Sequence, residues 1–214
     1  MILGICGNIG AGKSSLTNLL EEELGFRGVY EAVDENPFLE DFYSDMKSWA
    51  FHSQLFFLVK RFDFLKRVVT EGAVILQDRT IYEDVEIFAR NLQLMGYINE
   101  RDWRLYLDTY ETLSDHLTTP DGIVYIKCSK NVLLKRIKKR GRGFESDVSE
   151  EYIERLNGLY DDWIERVKFC RKLIIDGDKY DFIESAQDRA DVLHLISRFT
   201  AELMAGVQSR LFSR

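Results

Sequence analysis

The chain carries a glycine-rich segment of a type that binds phosphate. Residues 7–14, Gly-Asn-Ile-Gly-Ala-Gly-Lys-Ser, match the pattern G-x-x-x-x-G-K-[ST] between a short apolar run and an amphipathic stretch. Glycines let backbone N–H groups close around phosphate oxygens, the lysine reaches the outer phosphates, and the serine hydroxyl can ligate Mg²⁺. We therefore predict that the phosphates of MgATP bind to Gly7, Asn8, Ile9, Gly10, Ala11, Gly12, Lys13, Ser14 and Ser15.

A cluster of arginines could close over the transferring phosphate. Arg136 and Arg140 fall on one face of a predicted helix end, and Arg142 follows just past it, in an otherwise acidic chain. Such cations often only complement the helix dipole. Phosphoryl transfer, however, needs cations over the spreading negative charge, and glycines flank this segment. We predict that it is a closing lid that contacts ATP.

Carboxylates are needed near the acceptor, because a hydroxyl that attacks phosphate must lose its proton. Glu31 is a candidate, but acids crowd this stretch and residue types alone do not choose among them. A second apolar strand, residues 73–76, leads to Asp78 and Arg79, at the end of the sheet where ligands bind in open α/β folds. We expect Ser14 to hold Mg²⁺, with Asp78 or Glu31 acting through water.

Strands and helices that would position these groups alternate along the chain. Continuous apolar strands separated by helices indicate a parallel sheet covered on both faces. Two further helices are predicted at residues 47–69 and 100–117, and no Pro/Gly/Ser-rich linker divides the chain. The predicted strand and helix pairs are residues 2–6 with 14–24, 73–76 with 82–94, 123–126 with 132–139, and 173–175 with 182–203.

Composition excludes several classes of protein. The 214 residues are 45% hydrophobic and 30% charged, which is typical of a globular protein. The net charge of -7 argues against binding to a nucleic acid polymer. There is no basic leader and no apolar run of about 18 residues, so we expect no membrane span and a cytoplasmic location. The scattered cysteines, Cys6, Cys128 and Cys170, are expected to be free thiols.

Together these motifs resemble the deoxyribonucleoside kinase family, in particular its bacterial deoxyadenosine/deoxyguanosine kinase branch. The resemblance extends from the phosphate-binding loop to residues 176–180. The family's catalytic glutamate in an E-P-V or E-x-V segment falls on Glu31, with Ala32 where many members have proline, and its Asn-Pro-(Phe/Tyr)-Leu run falls on residues 36–39. By resemblance, Glu31 is the general base for the 5′-hydroxyl.

The resemblance also implies residues that bind the nucleoside. The family's base-reading glutamine in F-x-x-Q matches Gln54, and its D/E-R-S/T motif places Arg79 between the acceptor and the transferring phosphate. Asp84 would contact the base, while Tyr43 and Glu145 would hold the 3′-hydroxyl of the sugar. The lid resembles the family's R-x-x-x-R-x-R pattern, and Asp176 falls in a loop that packs near the adenine of ATP.

We therefore predict a P-loop kinase over residues 1–214, a single α/β domain with a doubly wound, five-stranded parallel sheet flanked by helices and an arginine-rich lid. It would use MgATP to phosphorylate the 5′-hydroxyl of a purine deoxyribonucleoside for nucleotide salvage. Deoxyadenosine is preferred, with deoxyguanosine and deoxycytidine as alternatives. The family also implies a homodimer. The rival hypotheses are a thymidylate-kinase-like nucleoside monophosphate kinase and a P-loop nucleotide switch without a phosphoryl acceptor.

Overall fold

Five parallel strands form one sheet in the computed structural model, which describes residues 1–30, 35–67, 73–142 and 148–211. Their order across the sheet is β2-β3-β1-β4-β5, so the chain leaves the central strand β1 first to one side and later to the other. A crevice at such a reversal is where open α/β sheets bind ligands. The strands are β1 (Ile2–Cys6), β2 (Arg27–Val29), β3 (Ile75–Asp78), β4 (Gly122–Lys127) and β5 (Arg171–Asp176).

Helices flank this sheet. A π-helical segment, Asp84–Ala89, separates two short helices that follow β3, and such segments are frequent at functional sites. The helices in the described parts of the chain are α1 (Lys13–Leu24), α2 (Leu39–Ser44), α3 (Met46–Leu65), α4 (Ile81–Glu83), α5 (Arg90–Leu94), α6 (Glu100–Ser114), α7 (Lys130–Arg140), α8 (Glu150–Arg166) and α9 (Ala186–Leu211).

The core lies on the central strands. Every residue of β1 and β3 is buried, as is every residue of β4 except Lys127. The register pairs Ile5 of β1 with Asp78 of β3, and Cys6 of β1 with Tyr125 of β4. The carboxyl ends of these three strands therefore meet at one edge of the sheet, where the predicted phosphate-binding loop begins.

The predicted fold class is confirmed, although several element boundaries are wrong. The strand expected at residues 73–76 lies at Ile75–Asp78, so Asp78 ends the strand instead of following it. The helix expected from residue 182 begins at Ala186, because the Asp181 side chain accepts from the backbone N–H of Glu184 and holds a turn there. The helix expected at residues 47–69 is Met46–Leu65.

Helix α8 was not predicted, and it packs against both α7 and the π-helical segment. It begins at Ser149, whose hydroxyl accepts from the backbone N–H of Tyr152 at 3.1 Å. Its buried side chains recur at helical spacing, which turns one face toward the core. These side chains are Tyr152, Ile153, Leu156, Tyr160, Trp163 and Ile164.

Within the described residues, no helix combines the length and the apolar character needed to cross a membrane.

Candidate active site

The glycine-rich loop joins the end of β1 to the start of α1, as predicted. Gly10 has a φ of 81°, and a Cβ atom built there would lie 2.8 Å from Ile137 Cγ1 and 2.9 Å from the Leu133 carbonyl oxygen. Only glycine meets both constraints without strain. The loop is thus pressed against α7, and its backbone N–H groups lie at the N-terminus of α1, which favours an anion.

Lys13 and Ser14 lie where the loop enters α1. The Lys13 ammonium is almost buried and donates to the carbonyl oxygens of Gly7 at 2.9 Å and Asn8 at 3.2 Å. The Ser14 hydroxyl donates to Oδ2 of Asp78, which the strand register brings beside the loop. A hydroxyl and a carboxylate oxygen suit Mg²⁺, which takes few protein ligands and shares substrate phosphates. Among the described residues, no group of three or more His, Cys, Asp or Glu side chains is placed to hold a metal ion.

A cavity of about 290 Å³ joins this loop to the predicted acceptor residues. Gln54 reaches it from α3 and Tyr43 from α2, and Gln54 is only 4% exposed. Asn36 helps to fix this wall, because its side-chain amide donates to the Ser53 hydroxyl at 3.1 Å, beside Gln54. The predicted site residues on the cavity wall are Ile9, Gly10, Lys13, Ser14, Tyr43, Gln54, Asp78, Arg79, Arg140 and Arg142.

Asp84 does not line that cavity; instead it forms a buried ion pair with Arg61. Arg61 Nε donates to Asp84 Oδ2 at 2.6 Å, and Nη2 donates to Oδ1 at 3.2 Å. Arg61 Nη1 also donates to the carbonyl oxygens of Arg79, at 2.8 Å, and Asp78, at 3.3 Å. Arg61 therefore ties the buried face of α3 to the end of β3.

Arg79 has a left-handed backbone, with a φ of 74°. For a residue other than glycine this conformation is uncommon and is found where the surroundings enforce it. Its guanidinium lies 3.8 Å from the centre of the Phe88 ring, a cation–π contact. The Arg61 bond to the Arg79 carbonyl oxygen helps to hold the turn that points this guanidinium into the cavity.

The three lid arginines divide between two places. Arg140 and Arg142 line the cavity just described. Arg136 donates from Nη1 to the Ala11 carbonyl oxygen at 3.1 Å and from Nη2 to the Gly177 carbonyl oxygen at 2.9 Å, so it fastens α7 to the loop. It borders a second groove of about 540 Å³, together with Gly10, Gly12, Ser15, Arg140, Gly177 and Asp178.

Asp176 does not border that groove, although the resemblance associates it with the adenine of ATP. Its Oδ1 accepts from the backbone N–H groups of Asp178 at 3.0 Å and Lys179 at 3.1 Å, which stabilises the turn after β5. Its contacts are those of a turn-forming residue. Glu31 and Glu145 lie outside the described residues, so their predicted roles stay predictions.

Sequence reasoning missed Arg61 and much of the cavity wall. Arg61 lies on the buried face of α3 with Gln54 and Leu58, and that spacing is a signal that could have been used. The aromatic and aliphatic side chains of the wall give no comparable signal, because such residues are usually core. The unpredicted lining residues are Tyr30, Leu39, Phe42, Phe57, Phe88 and Tyr152.

Comparison with known proteins agrees with this geometry. A family model described as deoxynucleoside kinase matches residues 3–201. The chain belongs to the deoxynucleoside kinase family. Its reaction is therefore phosphorylation of a deoxynucleoside, and the family implies ATP as the phosphate donor. The predicted enzyme class is confirmed in preference to the monophosphate kinase and the nucleotide switch.

Individual members of the deoxynucleoside kinase family are similar over nearly their whole length. The deoxyguanosine kinase of Lactobacillus acidophilus is 40% identical, over 91% of this chain and 89% of the relative. The deoxyadenosine/deoxycytidine kinase of Bacillus subtilis is 34% identical, over 92% of this chain and 91% of the relative. A solved structure of deoxyadenosine kinase from M. mycoides with bound dCTP has a TM-score of 0.80 at 29% identity, over 92% of this chain and all of that chain.

The buried Arg61–Asp84 pair makes a prediction about stability. Replacing Asp84 by Leu leaves a buried guanidinium without its carboxylate, so we expect the free energy of unfolding to fall by about 3–5 kcal/mol. The double variant Arg61→Leu/Asp84→Leu should lose clearly less than the sum of the two single changes, because it leaves no uncompensated charge. Urea unfolding of the four proteins measures this; additive losses would show that the pair is not coupled.

Proposed function

We propose that this kinase transfers phosphate from ATP to the 5′-hydroxyl of a purine deoxyribonucleoside, with deoxyadenosine preferred. The observation that supports this most directly is the single cavity that Gln54 shares with Lys13 and Ser14. A donor phosphate at the loop and a nucleoside against Gln54 would occupy the same cavity. Holding both reactants in this way is the main contribution a phosphoryl-transfer enzyme makes.

The part of the cavity wall formed by α2 and α3 suits an uncharged acceptor. The side chains that α2 and α3 contribute to it are neutral: Leu39, Phe42, Tyr43, Gln54 and Phe57. The cations on its wall come from the phosphate-binding loop, the end of β3 and the lid segment. A nucleoside monophosphate would need additional cations at this neutral part of the wall. This distribution of charge supports a nucleoside as the acceptor.

The preference for adenine rests on which hydrogen-bonding groups are available. The relatives named above differ in their base, so family membership alone does not choose. The Gln54 amide can donate and accept at once, which matches the donor–acceptor edge of adenine. Guanine presents two acceptors on its major-groove edge, for which a guanidinium is the usual partner. The described side chains that α2 and α3 contribute to the cavity wall beside Gln54 include no guanidinium, which favours adenine there.

In the proposed mechanism, Glu31 accepts the proton of the 5′-hydroxyl as that oxygen attacks the γ-phosphorus. Lys13, Arg79 and the lid residues Arg140 and Arg142 stabilise the charge on the transferring group. Tyr43 and Glu145 hold the 3′-hydroxyl of the sugar.

Mg²⁺ would be held by Ser14 and Asp78 and would neutralise the phosphate oxygens when bound.

The predicted single domain and homodimer stay predictions.

A substrate panel tests the proposal. We expect kcat/KM with MgATP to be highest for deoxyadenosine, lower for deoxyguanosine, deoxycytidine and thymidine, and negligible for the corresponding monophosphates. In Gln54→Glu the donor of the amide is lost, so kcat/KM for deoxyadenosine should fall by about 5- to 150-fold, since a good bidentate contact discriminates by about 1–3 kcal/mol.

The matched control for that substitution is Gln93→Glu. Gln93 lies on α5, away from the cavity, and accepts from Arg90 at 2.9 Å on the surface. Its replacement should leave the order of substrates unchanged. Preferred turnover of deoxyguanosine by the wild type would contradict the base assignment, and turnover of a monophosphate would contradict the proposed acceptor.

Replacement of Glu31 tests the proposed base. Glu31→Gln keeps the size of the side chain but cannot take a proton, so kcat should fall by about 10²–10⁴-fold while deoxyadenosine still binds. Glu35→Gln is the control from the same acidic stretch, because Glu35 is exposed and pairs with Lys60 at 2.8 Å. Steady-state kinetics and equilibrium binding measure the two effects. A Glu31→Gln enzyme with normal kcat would rule out this role.

A further inference from the structure

The carboxylate of Glu83 is completely buried and lies beneath the phosphate-binding loop. Its Oε2 accepts from the backbone N–H of Thr80 at 2.7 Å and from the Thr80 hydroxyl at 3.1 Å. The bond from the Thr80 N–H is one half of a capping box, in which the Thr80 side chain also accepts from the backbone N–H of Glu83. Its Oε1 accepts from the backbone N–H of Gly7 at 3.3 Å and lies 2.8 Å from the Tyr160 hydroxyl.

A capping box by itself does not require a charged residue. Glutamine serves the same position in many helices, because one side-chain oxygen is enough for the backbone N–H. A buried carboxylate is more costly than a buried amide unless both oxygens find donors. In Glu83 the second oxygen meets the N–H of Gly7 and the hydroxyl of Tyr160. The contacts at the loop, and not the capping box, therefore explain why this position carries a carboxylate with two acceptor oxygens.

Tyr160, from α8, completes the hold on the Gly7 peptide. Its hydroxyl lies 2.8 Å from the Gly7 carbonyl oxygen and 2.8 Å from Glu83 Oε1. Burial, and next the charge of Glu83, raise the pKa of Tyr160 well above its ordinary value, so the hydroxyl keeps the proton that it donates. A hydroxyl carries one proton, so Tyr160 shares it between the Gly7 carbonyl oxygen and Glu83 Oε1, while the Gly7 N–H donates to Glu83.

The next loop residue is held by the same helix. Asn8 Nδ2 donates to Asn157 Oδ1 at 2.7 Å and to the Ile153 carbonyl oxygen at 3.0 Å, while Asn8 Oδ1 accepts from the backbone N–H of Ile9 at 2.7 Å. Ile153, Asn157 and Tyr160 lie on one face of α8. This face therefore fixes two consecutive residues of the loop.

Both held residues matter for the phosphate site, because their carbonyl oxygens are the ones that receive the Lys13 ammonium. A shift of the Gly7 peptide would move the Lys13 contact and the turn that follows. Asp84, directly after Glu83, pairs with Arg61 on the acceptor side. Adjacent carboxylates thus fasten the donor loop and the acceptor wall to one short segment.

We propose that Glu83 and Tyr160 are positioning residues that hold the Gly7 peptide and thereby preset the loop for the phosphates of ATP. This proposal rests on the assignment of the loop to ATP made above. It predicts an effect on the binding of ATP that exceeds any effect on the binding of the nucleoside.

The test compares Tyr160→Phe and Glu83→Gln with the wild type. Tyr160→Phe removes one hydroxyl and keeps the ring. In Glu83→Gln the oxygen can stay on Thr80, which places the side-chain NH₂ group against the Gly7 N–H, donor against donor. We expect each variant to raise the Kd and KM of ATP about tenfold, since one such contact contributes about 1–1.5 kcal/mol, while the Kd of deoxyadenosine changes by less than about twofold.

Tyr106→Phe is the matched control. Tyr106 is also fully buried, but its hydroxyl has no hydrogen-bond partner within the described parts of the chain. Calorimetric titration should find both Kd values within about twofold of the wild type for this control. Any variant that does not fold is replaced in the comparison by the other one, because Tyr160 and Glu83 act on the same peptide.

The outcomes separate this inference from the proposed function. If the wild type binds no ATP, the assignment of the loop to the phosphates of ATP is itself contradicted. If the wild type binds ATP and both variants bind it equally well, or if ATP and deoxyadenosine weaken by the same factor, the positioning role is overturned and the network only stabilises the fold. A selective loss of ATP binding in the two variants, absent from the Tyr106→Phe control, supports it.

Discussion

A loop that binds phosphate through backbone N–H groups must keep its shape when no phosphate is present, and this constraint organises the rest of the molecule. Each N–H group has to point inward, although nothing negative yet holds it there. In this chain the contacts come from behind the loop: Glu83 holds the N–H of Gly7, Tyr160 holds its carbonyl oxygen, and Asn157 holds the side chain of Asn8. Preorganisation of this kind lowers the cost of binding.

The same segment that supports the loop also builds the acceptor wall. Asp78 receives the Ser14 hydroxyl, Arg79 points into the cavity from a left-handed turn, and Asp84 holds Arg61 on α3. All three lie at or just after the end of β3, beside the end of β1. Donor and acceptor sites are therefore linked through a few residues of one connection, which explains how a single cavity can serve both.

Much of the site could be predicted because its motifs are local. The glycine-rich loop and the arginines of the lid segment follow from residues close in sequence, whereas Gln54 was predicted only through the family resemblance of its F-x-x-Q segment. The alternation of apolar strands and helices predicted the parallel sheet. Strand β2 was missed because it is a short edge strand of Arg27–Val29 with little apolar pattern. Helix α8 was missed despite its Ser149 cap and amphipathic spacing.

Contacts between distant residues, such as the Tyr160–Gly7 hydrogen bond, could not be predicted, since nothing in either local sequence names the partner. Glu83 was predictable only in part. Thr80-x-x-Glu83 is a recognisable capping box in the sequence, but the hydrogen bond from the Gly7 N–H to Glu83 is visible only in the fold.

The most direct test of the central claim is a crystal structure of the wild type with deoxyadenosine and a non-hydrolysable ATP analogue. We predict that the adenine edge of the nucleoside contacts the Gln54 amide, that the loop N–H groups of residues 10–14 bind the phosphates, and that the Gly7 N–H remains on Glu83. A Gly7 N–H that leaves Glu83 and turns to a phosphate would contradict the account.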